Sequence, residues 1–212
     1  MTATITYTPD PAMSYWPTPP DVADDLVYWV LTPGHGNGED LRVLEPSAGE
    51  GHLARVVRDY LPHAHITAVE PSPERAATLR TMTDVVDDVI HAPLEGYLTT
   101  VAMQALAGDW TPYDLVFMNP PFTLPGRREA WAEHVLAIYE DPHLLAPGGH
   151  LGAIVPLQAM RGTSRRVRAI RELCRPYRGG IEECDRRAFA ASGTGYATAL
   201  MWIQKPAPRE VD

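Results

Sequence analysis

What most constrains this chain is a repeated switch between two hydrophobic periods. Short apolar runs at Leu41–Leu44, His65–Val69, Val85–Ile90, Tyr113–Met118 and Leu151–Val155 alternate with segments whose apolar residues recur at helical spacing. The helical segments are Asp21–Leu31 (with Asp21 as N-cap), His52–Tyr60, Pro73–Thr81, residues 99–107, Glu129–Tyr139 and an arginine-rich stretch, Ser164–Cys174. Two last strands, near Gly180–Glu183 and Ala197–Gln204, flank the small-residue loop Ala190–Gly195. Alternation of this kind predicts an α/β fold, a mostly parallel sheet with helices on both faces.

Size and composition fit that reading. The chain has 212 residues, 45% of them apolar and 21% charged, enough for one core without disulfides. Residues 1–14 read as a flexible tail, 15–205 as one domain and 206–212 as a C-terminal tail. Cys174 and Cys184 form neither a disulfide framework nor a metal-ligand set, so no metal is expected. No apolar run reaches the ~20 residues of a membrane span and no secretion signal opens the chain, so the expected location is cytoplasmic.

The net charge of −9 argues at first against a nucleic-acid partner. The distribution reverses the inference. Nine of the 18 basic residues fall between Arg161 and Arg187, among only four acids. A solvated arginine-rich helix is the plain alternative.

Two loops carry the chemistry. The first strand runs into Glu45-Pro46-Ser47-Ala48-Gly49-Glu50-Gly51 and then a helix, which is the geometry that places a ligand over a helix N-terminus. Gly49 and Gly51 permit a sharp turn and a close backbone approach. Glu70, closing the second strand, can accept ribose hydroxyls. The third glycine of the dinucleotide fingerprint is missing, which favours a nucleoside without a diphosphate, and S-adenosylmethionine (SAM) fits that description. A bare Gly-x-Gly is equally an ordinary tight turn; the carboxylate at the right distance tips the balance.

The second loop, Asn119-Pro120-Pro121-Phe122, ends the fourth strand. Its prolines fix the backbone and hold Asn119 extended. The Asn119 side-chain oxygen and the Pro120 carbonyl can each accept one hydrogen of an aromatic amine, aiming its lone pair at a methyl donor while Phe122 stacks on the ring. A strand stopped by two prolines explains an isolated N-P-P-F, but not one beside a nucleoside loop.

Together these segments resemble the amino-methylating DNA methyltransferases, particularly the adenine-specific (N6) group. The resemblance spans residues 15–122 and adds Tyr15-Trp16-Pro17-Thr18-Pro19-Pro20, similar to the family's N-terminal motif. It implies a Rossmann-like fold of seven strands, with Pro17, Thr18 and Pro19 closing over the methionine end of SAM. It further implies SAM contacts from Glu45, Pro46, Ser47, Ala48, Gly49, Gly51 and Glu70. The implied target is an adenine flipped out of duplex DNA. Relatives place an Asp after the third strand against the SAM adenine; here Pro93 falls near that position, so either Asp88 or another group serves, or the contact is missing.

Arg127, Arg128, Arg161, Arg165, Arg166 and Arg168 follow strands on the ligand edge and are the expected phosphate contacts, with Phe189 a second aromatic for the base pocket. No separate recognition domain is expected, so either specificity falls to loops 123–133 and 156–196, to a homodimer or to a separate subunit, or there is little or no sequence preference. RNA adenine and DNA cytosine demand the same pocket chemistry. Glutamine methylation in a protein uses a similar Asn-Pro-Pro motif, and a non-catalytic SAM-binding subunit is the reading from another class.

Overall fold

The computed structural model describes residues 15–31, 38–175, 179–185, 189 and 196–207. The expected tail 1–14, the loop 190–195, Arg178, Arg186 and Arg187 lie outside the described residues. In chain order the elements are α1 (Pro20–Leu31), β1 (Arg42–Glu45), α2 (His52–Tyr60), β2 (His65–Glu70), α3 (Pro73–Arg80), β3 (Asp88–His91) and α4 (Leu94–Ala107). There follow β4 (Tyr113–Met118), α5 (Ala130–Glu140), β5 (Leu145–Pro156), α6 (Gln158–Arg161), α7 (Arg165–Leu173), β6 (Gly179–Glu183) and β7 (Thr198–Gln204).

The strands form a seven-stranded sheet in the order β3-β2-β1-β4-β5-β7-β6. All pairings from β3 to β5 are parallel, and β7 is antiparallel to both its neighbours. Order reverses between β1 and β4, the switch point at which the loops after two strands diverge and leave a crevice. The period-2 alternation of the strands fills two cores. Leu44, Val69, Val116 and Met118 pack with α4, α5 and α7, while Val43, Ile66, Ala68, Leu115 and Phe117 pack with α1, α2 and α3.

Five elements differ from expectation, one of them the short helix α6, which no expected element covered. The third strand was expected over 85–90 but starts at Asp88, because Val85 and Val86 bury themselves in a turn whose amides both bond to the Met82 carbonyl. Helix α4 begins at Leu94 rather than 99, with Pro93 extended at its N-cap and α4 running unbroken through Gly96. Strand β5 extends back to Leu145 through a register shift at Pro147-Gly148-Gly149. In α1, Pro20 takes the first helical position, which its fixed φ suits, so Asp21 falls in the first turn instead of capping it. No helix among the described residues is long and apolar enough to cross a membrane.

Candidate functional site

Glu45, Glu70, His91 and Met118 end β1 to β4 on one edge of the sheet, and the loops beyond them converge there. The loop after β1 is shaped by two left-handed glycines, Gly49 at φ 57° and Gly51 at φ 78°. A Cβ on Gly51 would lie 2.7 Å from Met82, and one on Gly49 would lie 2.3 Å from the Tyr15 ring. Only glycine satisfies both the backbone and the space.

Glu70 organises this loop. Its Oε2 accepts from the Gly49 amide at 2.8 Å; its Oε1 accepts from the Ser72 amide at 2.8 Å and from Arg75 Nε at 3.0 Å. The Arg75 guanidinium lies 4.5 Å from the Tyr15 ring centroid, so an arginine and an aromatic are stacked beside the carboxylate.

A small polar pocket next to the glycine loop is lined by Tyr15, Trp16, Thr18, Glu45, Ser47, Ala48, His52, Leu53 and Asn119. Two of its buried atoms, Glu45 Oε2 and Ser47 Oγ, have no hydrogen-bond partner among the described residues. Burial drives the Glu45 carboxyl well above the ordinary carboxylate range; the Ala54 amide partly offsets this and the neighbouring Glu70 charge adds to it. His52 is pushed down to about 4 by burial and, secondarily, by Arg55. A buried carboxyl with one oxygen left over, beside a hydroxyl left over, is costly unless a ligand completes the pair, and the complement is a cation such as an ammonium.

A larger apolar cavity shares Tyr15, Trp16, Ser47 and Asn119 with this pocket and is lined from Glu70, Pro71 and Pro93 past Asn119–Phe122 to Phe189, Tyr196 and Thr198. Asn119 joins the two. Its Nδ2 donates to the Trp16 carbonyl and to Thr18 Oγ1, both at 3.1 Å. A carbonyl can only accept, so the amide nitrogen must face Trp16 and the amide oxygen points away from it. Phe122 and Trp16 each meet Tyr196 edge to face, with centroids 6.0 and 6.4 Å apart.

The expected residues divide accordingly. Thr18, Glu45, Pro46, Ser47, Ala48, Glu70, Asn119, Pro120, Pro121, Phe122 and Phe189 line one or both spaces, with Gly49 and Gly51 shaping the loop. Pro17 and Pro19 are buried beside the site but line neither space. Asp88 is a correction. It starts β3 at the opposite edge of the sheet, paired in register with Thr67 rather than Glu70, and its carboxylate is bonded to His65 Nε2 at 2.8 Å. Arg127 is held internally, Nη1 on Glu95 and Nε on Glu133, both at 2.5 Å. Arg166 reaches Glu133 at 3.2 Å, whereas Arg128, Arg161, Arg165 and Arg168 are exposed. Tyr15 and Trp16, from the N-terminal motif, line the cavity too, and Arg75, Glu95, His134 and Tyr196 line it without having been singled out from the sequence.

No family model and no curated protein matches the chain. Solved structures do. The plantazolicin methyltransferase BpumL, in complex with a pentazolic desmethylPZN analog and SAH, superposes with a TM-score of 0.55 at 12% identity, over 87% of this chain and 83% of that one. A chain of a type I R-M system gives 0.59 at 19% identity, over 92% of this chain and 43% of that one. TrmN from Thermus thermophilus gives 0.56 at 16%, over 88% of this chain and 48% of that one. The fold is that of the SAM-dependent methyltransferases. This chain thus spans less than half the length of the latter two neighbours, and at these identities the likeness concerns architecture alone.

Proposed function

We propose that this protein is a SAM-dependent methyltransferase acting on the exocyclic amino group of an adenine flipped out of DNA. The observation that carries the reading is the pinned Asn119 amide: with Nδ2 spent on Trp16 and Thr18, Oδ1 is the atom left for a substrate. The SAH bound in the BpumL structure supports the cofactor, and the type I R-M neighbour supports a DNA target.

The residues present fit SAM. Glu45 and Ser47 supply unpaired buried acceptors for an ammonium, and Glu70 stands one strand further along for a ribose. Glu70 already accepts three hydrogen bonds of the roughly four a carboxylate can take, so a ribose diol requires the Arg75 guanidinium to give way. Bound SAM supplies an electrophilic methyl group. For their part, Asn119 Oδ1 and the Pro120 carbonyl accept the two amino hydrogens, turning the nitrogen lone pair out of the ring system. Phe122, Tyr196 and Phe189 provide flat apolar walls for the base and exclude water. The nitrogen gains the methyl and gives one proton to solvent.

Exposed Arg128, Arg161, Arg165 and Arg168 lie on segments that follow β4 and β5, where a phosphate backbone would pass. Transfer of labelled methyl from SAM to unmodified DNA, RNA and protein tests the reading. N6-methyladenine in DNA, abolished in Asn119→Ala, is the expected result. Label in RNA or protein instead would move the target, and SAM binding without transfer to any of them would make the chain a non-catalytic subunit.

A further inference from the structure

Beyond Phe122 the loop after β4 folds into a tight turn whose tip takes no part in the pocket. From Asn119 to Arg128 this loop holds no carboxylate, in a chain with 27 acidic residues, and it closes on Arg127-Arg128. Phe122 and Leu124 line the large cavity. Pro125 and Gly126, which follow, line neither space and are exposed.

The turn is stiff for three reasons. Leu124 and Arg127 exchange both backbone hydrogen bonds, the Leu124 amide donating at 2.9 Å and the Arg127 amide at 2.8 Å. The Pro125 ring fixes φ at the first central position, and Gly126 takes φ 74° at the second, the pairing of signs that a type II turn requires. Arg127 then ties the base of the turn to α4 and α5 through Glu95 and Glu133. A type II turn splays the strands beside it, so the pairing stops at one bridge and the tip is a two-residue point.

A base that swings out of a duplex stays tied to its own backbone, so the gap it leaves in the stack lies close to the pocket that receives it. Opened base steps are held apart by apolar wedges, proline among them. The Pro125 Cα stands at most ~11 Å from that of Phe122, three trans peptides away. A proline ring on a fixed backbone loses almost no conformational freedom on insertion. Arg128, two residues past the tip, is exposed for a phosphate beside the gap. We propose that the Pro125-Gly126 tip enters the duplex where the adenine leaves it, the proline ring stacking on the neighbouring base and keeping the step open. This rests on the DNA reading above, and it separates opening the duplex, at the tip, from the chemistry at Asn119.

Native and heat-denatured genomic DNA from one unmethylated source tell these two duties apart. They carry the same adenines, and only the native form has a stack to open. The measurement is the initial rate of labelled methyl transfer from SAM to each. Pro125→Gly should lower the rate on native DNA about 10-fold, the scale of one lost stacking contact, and leave the denatured rate within about 2-fold. Pro125→Phe, which offers a flat apolar face without the fixed φ, should recover most of the native rate. The assignment is overturned if Pro125→Gly slows both substrates alike or neither, or if phenylalanine brings no recovery. Wild type active on denatured DNA alone overturns it too, since no duplex is then opened. Wild type inactive on both forms removes the DNA reading itself, and the wedge with it.

Discussion

Thr18 and Asn119 lie 101 residues apart and share a hydrogen bond of 3.1 Å, Nδ2 donating to Oγ1. With the Trp16 carbonyl as second acceptor, the segment before α1 sets the direction of the Asn119 amide. The N-terminal motif is thereby a positioning device for the loop after β4 as well as a wall of the polar pocket.

Thr18→Val keeps the shape and removes one acceptor. Single-turnover methyl transfer should slow about 5–10-fold with S-adenosylhomocysteine affinity little changed, the loss expected for one ordinary hydrogen bond. Asn119→Asp should cost about 100-fold or more, because a carboxylate cannot donate to the Trp16 carbonyl and is repelled by it. Equal rates for wild type and Asn119→Asp would contradict the role of the amide.

Glu45 gives a pH dependence with a definite sign. Its folded carboxyl titrates well above 4.5 because it is buried, so between the unfolded and folded values the folded state holds the extra proton. The contribution of this group to stability therefore falls as pH rises through that window. Glu45→Gln should flatten that slope and raise the ligand-free melting temperature at pH 8 by about 3 °C or more, while weakening S-adenosylhomocysteine about 10-fold. Melting curves from pH 5 to 8, with and without the ligand, separate the two effects. A variant less stable than wild type at pH 8 would count against a carboxyl whose burial costs more than its Ala54 hydrogen bond returns.

The sheet and the two site loops were legible because each rests on local rules. Strand His65–Val69 and helix His52–Tyr60 announce themselves by period, and Gly49-x-Gly51 by the φ values only glycine takes freely. What the sequence hid depends on long-range placement. Val85 and Val86 have strand-like side chains but turn back on Met82. Arg127 looks like a free cation until Glu95, from the start of α4, and Glu133, from the helix after it, both close on it. Asp88 was misplaced because a shift in where β3 begins moves a residue from one edge of the sheet to the other. Tyr196 carries no motif, yet it meets both Trp16 and Phe122.

His52 acts in the opposite sense to Glu45. Its imidazole is lowered from 6.5 to about 4, so the unfolded state binds a proton that the folded state refuses between those values. Its stabilising contribution is whole above pH 6.5 and is lost as pH falls toward 4. Chemical denaturation of wild type and His52→Gln should show their stability difference narrowing by ~1–3 kcal/mol across that interval. His134 shifts the same way, so the comparison between variant and wild type, rather than the wild-type slope alone, isolates His52.

The arginines separate into two kinds, and salt tells them apart. Arg165 and Arg168 are exposed on α7, so replacing both with alanine should weaken DNA binding roughly uniformly across sequences, with little effect on melting temperature. It should also reduce the slope of log affinity against log salt by ~2. Arg127→Ala should behave differently, because it removes the cation that Glu95 and Glu133 share and leaves Glu133 with Arg166 alone. Its main effect should be on the junction of α4 and α5, seen as a destabilisation of ~1–2 kcal/mol and weaker cofactor binding, with the salt slope for DNA nearly unchanged. If instead Arg127→Ala lowers the salt slope by ~1 at unaltered stability, its guanidinium leaves the carboxylates for a phosphate, and the loop after β4 rearranges on DNA.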